Sequence, residues 1–194
     1  MSNFKTRAVT EVEYKNIITA LRTGFILPSN QHIRPNEKVA VALTLEANMG
    51  MRINDILHLK LSDIKRNGGR YHLNVKEEKT GKLRTFMVPV EIYAFIQQYA
   101  IDNGIKPNQR LFDITTRAVQ NSLKLACKYL EIDGVSTHSF RKFFAQMIYD
   151  ANDNNIELVR ELLQHSSIAV TQHYIGVDSK IIEKALQKHV FLPA

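Results

Sequence analysis

The sequence predicts a mainly α-helical protein with one small antiparallel β-hairpin. Three observations lead there. Most of the 194 residues fall into apolar-periodic stretches of helical length, set between capping and stopping residues. One pair of short segments, Tyr71–Val75 and Leu83–Val88, instead has strand character on either side of a turn. No internal repeat, low-complexity tract or Ser/Pro/Gly linker divides the chain, so residues 1–194 read as one domain.

In chain order, Thr10-Glu11-Val12-Glu13 is a capping box, and Ile17, Ile18 and Leu21 continue the helix it opens until Gly24 stops it. Leu27–Arg34 reads as loop. Pro35 fits a first helical position, and Glu37–Met49 is dense in helix formers with few charges, which predicts a buried helix ended by Gly50. Asn54 or Asp55 is the expected cap of a short helix running to Leu59, and Leu61–Ile64 leads out of it. Lys79-Thr80-Gly81-Lys82 makes the hairpin turn, and Pro89 ends its second strand. Helices are then predicted at Val90–Asp102, Thr115–Leu130, Ser139–Asp150, Ile156–Leu163, Ala169–Tyr174 and Ser179–Lys188, with Gly104, Pro107 and Gly134 in the loops between.

Hydrophobic residues at 44% and charged residues at 23% match an ordinary globular protein. A single cysteine, Cys127, excludes an internal disulfide framework and a multi-cysteine metal site, and suits a reducing compartment. Lys5 and Arg7 have no apolar run behind them, unlike a signal peptide, and no apolar stretch is long enough to span a membrane. Lys plus Arg outnumber Asp plus Glu by 26 to 19, giving +7. That balance points to a polyanionic partner, nucleic acid ahead of an anionic membrane.

Four clusters carry chemistry. His138 and Arg141, three apart at a helix start, share a face beside unpaired backbone N–H groups; they fit a phosphate cradle or a surface pair. Arg52 is flanked by apolar residues, with Asp55 three positions on, as a structural ion pair or an aimed guanidinium. Lys79 lies at the hairpin turn, where lysine is common, or where a mobile ammonium reaches a phosphate. His165 follows a helix C-terminus, and Tyr174 comes nine positions later, a packed ring with a wet hydroxyl or a nucleophile.

Taken in order, these strings resemble the tyrosine recombinases, the phage integrase family. Gly50-Met51-Arg52-Ile53-Asn54-Asp55-Ile56-Leu57 is similar to that family's first arginine box. Glu78-Lys79-Thr80-Gly81-Lys82 with Val88-Pro89 is similar to its hairpin lysine motif. His138-Ser139-Phe140-Arg141-Lys142 resembles its second box, and the run from Leu162 through His165 to Tyr174 resembles the segment ending in its nucleophile. Gln164 departs from the pattern, since the family usually has Gly before that histidine. The resemblance runs from about Thr10 to Lys188.

What it implies is a tyrosine recombinase catalytic-domain fold, with a core at about residues 10–176 and a C-terminal helix and tail at 177–194 that docks on its own domain or on a neighbouring protomer. The helical DNA-clamping domain that most members carry ahead of this one is expected to be absent from residues 1–194. It also implies DNA cleavage and rejoining through a 3′-phosphotyrosine. Tyr174 would be the nucleophile. Arg52, Arg141, His138 and His165 would hold the phosphate, Lys79 would protonate the leaving 5′-oxygen, and Asp55 would orient Arg52. No metal, nucleotide or redox cofactor is implied, and the sequence has no HExxH, Walker-type loop or acidic metal cluster.

The implied partner is double-stranded DNA with specific sites, bound by a homotetramer that is monomeric when free, with accessory DNA-bending proteins, in the cytoplasm at the nucleoid. Further DNA contacts are expected from Lys60, Lys65, Arg66, Lys82, Arg84, Arg117, Lys124 and Lys142, with groove contact at the Thr115–Lys124 helix. A non-cutting DNA-binding module of the same fold and a type IB topoisomerase are the alternatives.

Overall fold

The computed structural model describes residues 6–76, 81 and 83–175. It divides into two compact units, Met1–Phe144 and Ala145–Ala194. Among the described residues, no helix is long and apolar enough to cross a membrane.

The first unit is built around α2 (Glu37–Met49), capped by Asn36, whose Oδ1 accepts from the Val39 N–H. Val39, Ala40, Ala42, Leu43 and Leu45 of this helix have no exposed surface. α1 (Glu11–Thr23), α3 (Ile53–His58) and α5 (Thr116–Tyr129) pack against it. Each fully buried Leu or Ile there contributes ~1.5–3 kcal/mol by leaving water. α1 opens on the predicted capping box: Thr10 Oγ1 accepts from the Glu13 N–H, and the Glu13 carboxylate accepts from the Thr10 N–H.

Two expectations shift at α2 and α3. Pro35 precedes the Asn36 cap and so lies outside the helix. α3 begins at Ile53, two positions earlier than a cap at Asn54 allows, and Arg52 holds the N-cap position without a side-chain cap bond. Asn54 is drawn elsewhere: its Oδ1 accepts from Thr116 Oγ1 at 3.2 Å, tying α3 to the start of α5.

The sheet is larger than one hairpin. β3 (Ile64–Asn67), β4 (Arg70–Lys76) and β5 (Leu83–Val88) form an antiparallel sheet in that order, with Leu73 opposite both Ile64 and Phe86. β3 has one apolar residue in four, so its alternation is invisible in sequence; backbone pairing with β4 makes it a strand. β1 (Phe25–Ile26), just ahead of the expected loop, pairs with β2 (His32–Ile33) inside it; both are too short for any period to show. Tyr71 stacks on Tyr93 at 3.8 Å and joins the sheet to α4 (Val90–Asp102).

α6 (Thr137–Ala151) starts in the first unit. Tyr14 of α1 stacks on Phe143 at 5.3 Å and meets the Phe140 edge at 6.2 Å, which seats the first turns of α6. The N-terminal segment lies across the same turns: Arg7 N–H donates to the Gly134 carbonyl, Val9 N–H to the Ser139 carbonyl, and Lys142 Nζ to the Thr6 carbonyl. The second unit comprises the rest of α6, α7 (Ile156–Leu163) and α8 (Ile168–Ile175).

Candidate functional site

The predicted site residues fall in both units. Lys79, Lys82 and the Ser179–Lys188 helix lie outside the described residues, as does the Arg84 side chain.

In the first unit, Gly50 ends α2 with φ +56°, in the left-handed region. A Cβ there would lie 2.3 Å from Phe144 Cδ1, so the position excludes other residues by conformation and by space. The Gly50 carbonyl accepts from Arg141 Nη1 at 2.5 Å. Arg52 is two residues further on and half-buried, and Asp55 sits buried in the first turn of α3. The structure therefore brings the first arginine box and the second into direct contact, through a backbone oxygen.

Arg141 has no exposed surface, whereas His138, one turn earlier on α6, is exposed. Ser139 Oγ accepts from the Ser136 N–H and Ser136 O from the Ser139 N–H, which closes the entry to this helix.

Glu46 is a feature that sequence reading missed. It lies one turn before Gly50, whose N–H donates to its carbonyl at 3.0 Å, and it has no exposed surface. Burial raises its carboxyl well above the usual carboxylate range, while the Arg141 charge and the Ile53 N–H pull the other way. The signal available in sequence was its phase: it sits three positions from both Leu43 and Met49, on the buried side of an apolar helix.

Of the predicted DNA contacts, Lys65 and Arg66 are exposed on β3. Arg117 and Lys124 are exposed on α5, two turns apart on the side away from Val119 and Leu123. Lys60 and Lys142 are half-buried, and Lys142 holds the Thr6 carbonyl at 2.5 Å.

In the second unit, α7 ends in a Schellman turn: Gln164 takes the left-handed conformation at φ +53°, its N–H donates to Glu161 O, and the His165 N–H donates to Arg160 O. Arg160 pairs with Glu157 and also donates from Nη1 to the His165 carbonyl at 3.2 Å. His165 is thus delivered into the interior, 7% exposed, where its Nδ1 meets Thr171 Oγ1 at 3.1 Å. The Thr171 hydroxyl also lies 3.4 Å from the Ser167 carbonyl, to which it can donate. When it does so, its oxygen is open to accept from His165 Nδ1 in the tautomer that carries a proton there. The His165 and Tyr174 rings meet edge-on at 4.7 Å, with Tyr174 half-buried. Nothing in the run from Ser166 to Gln172 marks Thr171, rather than the exposed Ile168 and Val170 before it, as buried; only the fold does.

Among the described residues, no group of three His, Cys, Asp or Glu side chains is placed to hold a metal ion. What the described groups offer is cationic and imidazole donors with a phenol.

The sequence profile described as the phage integrase family matches residues 7–180. The chain is 32% identical over 138 residues to the probable integrase/recombinase YoeC of Bacillus subtilis, covering 68% of this chain and 73% of that protein. It is 27% identical over 164 residues to the tyrosine recombinase XerC of Caldanaerobacter subterraneus, covering 79% of this chain and 45% of that one. With XerA of Pyrococcus furiosus the match is 26% identical and spans 61% of the relative. The chain is therefore shorter than the Xer proteins it matches. Among solved structures, the catalytic domain of bacteriophage HP1 integrase is similar with a TM-score of 0.64 at 20% identity, covering 95% of this chain and 96% of that one. The XerH site-specific recombinase, solved in a post-cleavage complex with its difH substrate, is similar with a TM-score of 0.68 at 20% identity, covering 93% of this chain and 52% of that one.

Proposed function

The chain belongs to the phage integrase family, and from that premise we propose that it is a site-specific DNA recombinase acting through a 3′-phosphotyrosine. Tyr174 Oη attacks the scissile phosphorus, and the bond from phosphorus to the 5′-oxygen breaks. Lys79 gives that oxygen its proton, and His138 assists removal of the phenolic proton. Arg52 and Arg141 take the non-bridging oxygens, where two guanidiniums stabilise the charge of the pentavalent transition state. His165 neutralises the phosphate. Rejoining is the reverse: a 5′-hydroxyl attacks the phosphotyrosine and the phenol leaves, so the bond energy is kept without ATP.

The observation that carries this reading is the edge contact of the His165 and Tyr174 rings, with Thr171 holding the imidazole from behind. Arg141 has no exposed surface, so its contact with phosphate requires covering side chains to move when DNA binds. The DNA partner is proposed on family membership and on the basic balance of the chain. One tyrosine cuts one strand, so exchange between two duplexes takes four protomers; the assembly proposed is a tetramer on DNA and a monomer free of it, working in the cytoplasm.

The test is covalent capture. The full chain is incubated with a library of nicked duplexes of randomised core sequence, in which the short cut piece diffuses away and traps the adduct. A protease-sensitive DNA adduct, absent with Tyr174→Phe and severely reduced with Arg141→Lys, is expected. Binding without an adduct would assign the chain to the non-cutting class. An adduct on one duplex with relaxation of supercoils and no strand exchange would make it a topoisomerase.

A further inference from the structure

The strongest feature that this mechanism leaves unused is the Glu46 carboxyl. α2 is otherwise an apolar helix at the centre of the first unit, and Glu46 is the charged-type side chain it buries completely. Neither of its carboxylate oxygens makes a hydrogen bond of regular geometry among the described residues; the Ile53 N–H of α3 is near enough only to favour the charged form. A core position gains nothing from such a group: an apolar side chain of the same volume would pack without the desolvation cost. Its neighbourhood is specific. Arg141 reaches from α6 to the Gly50 carbonyl, and Gly50 is hydrogen-bonded to the Glu46 carbonyl one turn back on α2.

The charged group acting on Glu46 is Arg141, from α6, and α3 contributes the Ile53 N–H. α1 and α5, the other helices against α2, bury Ile17, Ile18, Leu21, Val119 and Leu123. The titratable group among their buried residues is Cys127, whose thiol is pushed up to about 11 by burial, with Glu13, Arg7 and Asp133 as the charges acting on it.

We infer that Glu46 is a positioning residue for Arg141: as a neutral acid it leaves the guanidinium charge to the phosphate, and its ionisation withdraws that charge. The inference rests on Arg141 being a phosphate ligand, as proposed above. Burial favours the neutral form, and the favourable pull of Arg141 on the carboxylate works against it. By linkage, any attraction that Arg141 gives to an ionised Glu46 is attraction no longer available to an incoming phosphate. The acid thereby makes the strength of one arginine depend on pH, which an apolar residue at the same place cannot do.

Two measurements test this. The first follows the Glu46 side-chain carbon by 13C NMR in the DNA-free full chain labelled at Glu, with the signal assigned by its loss in Glu46→Gln or, if that variant does not fold, in Glu46→Asp. The expected result is a single titration well above the ordinary carboxylate range, moving further up in Arg141→Met, where the cation that favours the charged form is gone. The second follows covalent adduct formation on the captured nicked duplex across pH, in wild type and Glu46→Gln. The wild-type rate should fall relative to the variant by about tenfold per pH unit above the Glu46 midpoint. A midpoint indifferent to Arg141, a Glu46 signal that does not titrate between about pH 5 and 10, or a rate ratio flat with pH overturns the inference while leaving the recombinase reading intact. No adduct in either protein overturns the recombinase reading, and this inference with it.

Discussion

Arg141 Nη1 donates to the Gly50 carbonyl oxygen at 2.5 Å, across 91 positions of chain. The bond locks the second arginine box onto the peptide that leads into Arg52. Gly50→Ala attacks this point twice, through its φ of +56° and through the ring of Phe144 at 2.3 Å. Together the left-handed strain and the overpacking should cost ~2–4 kcal/mol. Urea denaturation of the variant should show that loss, with adduct formation reduced even where the variant is fully folded.

Thr171 is wholly buried and its hydroxyl faces His165 Nδ1. Thr171→Val keeps the shape and removes the acceptor. A loss of ~1 kcal/mol from the imidazole's orientation corresponds to a roughly fivefold slower adduct formation. The Thr171→Ser variant, which restores the hydroxyl, should recover most of it; equal rates in the Val and Ser variants would show that the bond does not set the imidazole.

Gln164 closes α7 in the left-handed region at φ +53°. Gln164→Gly relieves backbone strain at the one place where glycine suits the turn, so the fold should gain ~0.5–1 kcal/mol. Thermal unfolding of the two proteins in parallel measures it. A lower melting temperature for the variant would mean that the half-buried Gln164 side chain contributes more than its backbone costs.

The raised Glu46 carboxyl has a consequence for stability as well as for activity. The folded chain binds a proton there more tightly than the unfolded chain, so the contribution is fully present below about pH 4.5 and is lost as pH rises toward the folded value. Glu46→Leu has no such dependence. Its stability relative to wild type should therefore grow with pH from about 4.5 upward, read from denaturation midpoints at matched ionic strength.

Glu13 gives the opposite sign. Arg7 holds its carboxyl down at about 2 through a two-pronged pair, with further help from Thr10. Its stabilisation is present above about pH 4.5 and is lost as pH falls toward 2. Arg7 is substantially exposed, so solvent screening limits the pair to ~1 kcal/mol. Arg7→Met should flatten that acid limb and leave the melting temperature at pH 3 closer to its value at pH 7.

Some explicit local signals match the structure, while the Pro35 and Asn54 signals do not. The Thr10 capping box, the helix Glu37–Met49 and its Gly50 terminator read directly, because local chemistry decides them. The order of Arg52, His138, Arg141, His165 and Tyr174 pointed to the family that the profile match establishes. What local chemistry does not decide was not legible. β3 is a strand because β4 pairs with it, and Asn54 does not cap because Thr116 takes its oxygen. Glu46 and Thr171 matter through burial, which depends on partners far away in the chain. The left-handed turn at Gln164 is made by a residue that sequence rules assign to helix interiors, held there by two backbone bonds from its neighbours' amides and its own.

The strap formed by residues 6–9 has a practical corollary. Lys142 fastens the Thr6 carbonyl on the same helical turn that bears Arg141, and Arg7 and Val9 are pinned to Gly134 and Ser139 on either side of His138. Whatever is joined ahead of Thr6 leaves from an anchored point beside that turn. An acidic affinity tag fused at the front starts near the two side chains proposed to hold phosphate, and should act as a tethered competitor of DNA.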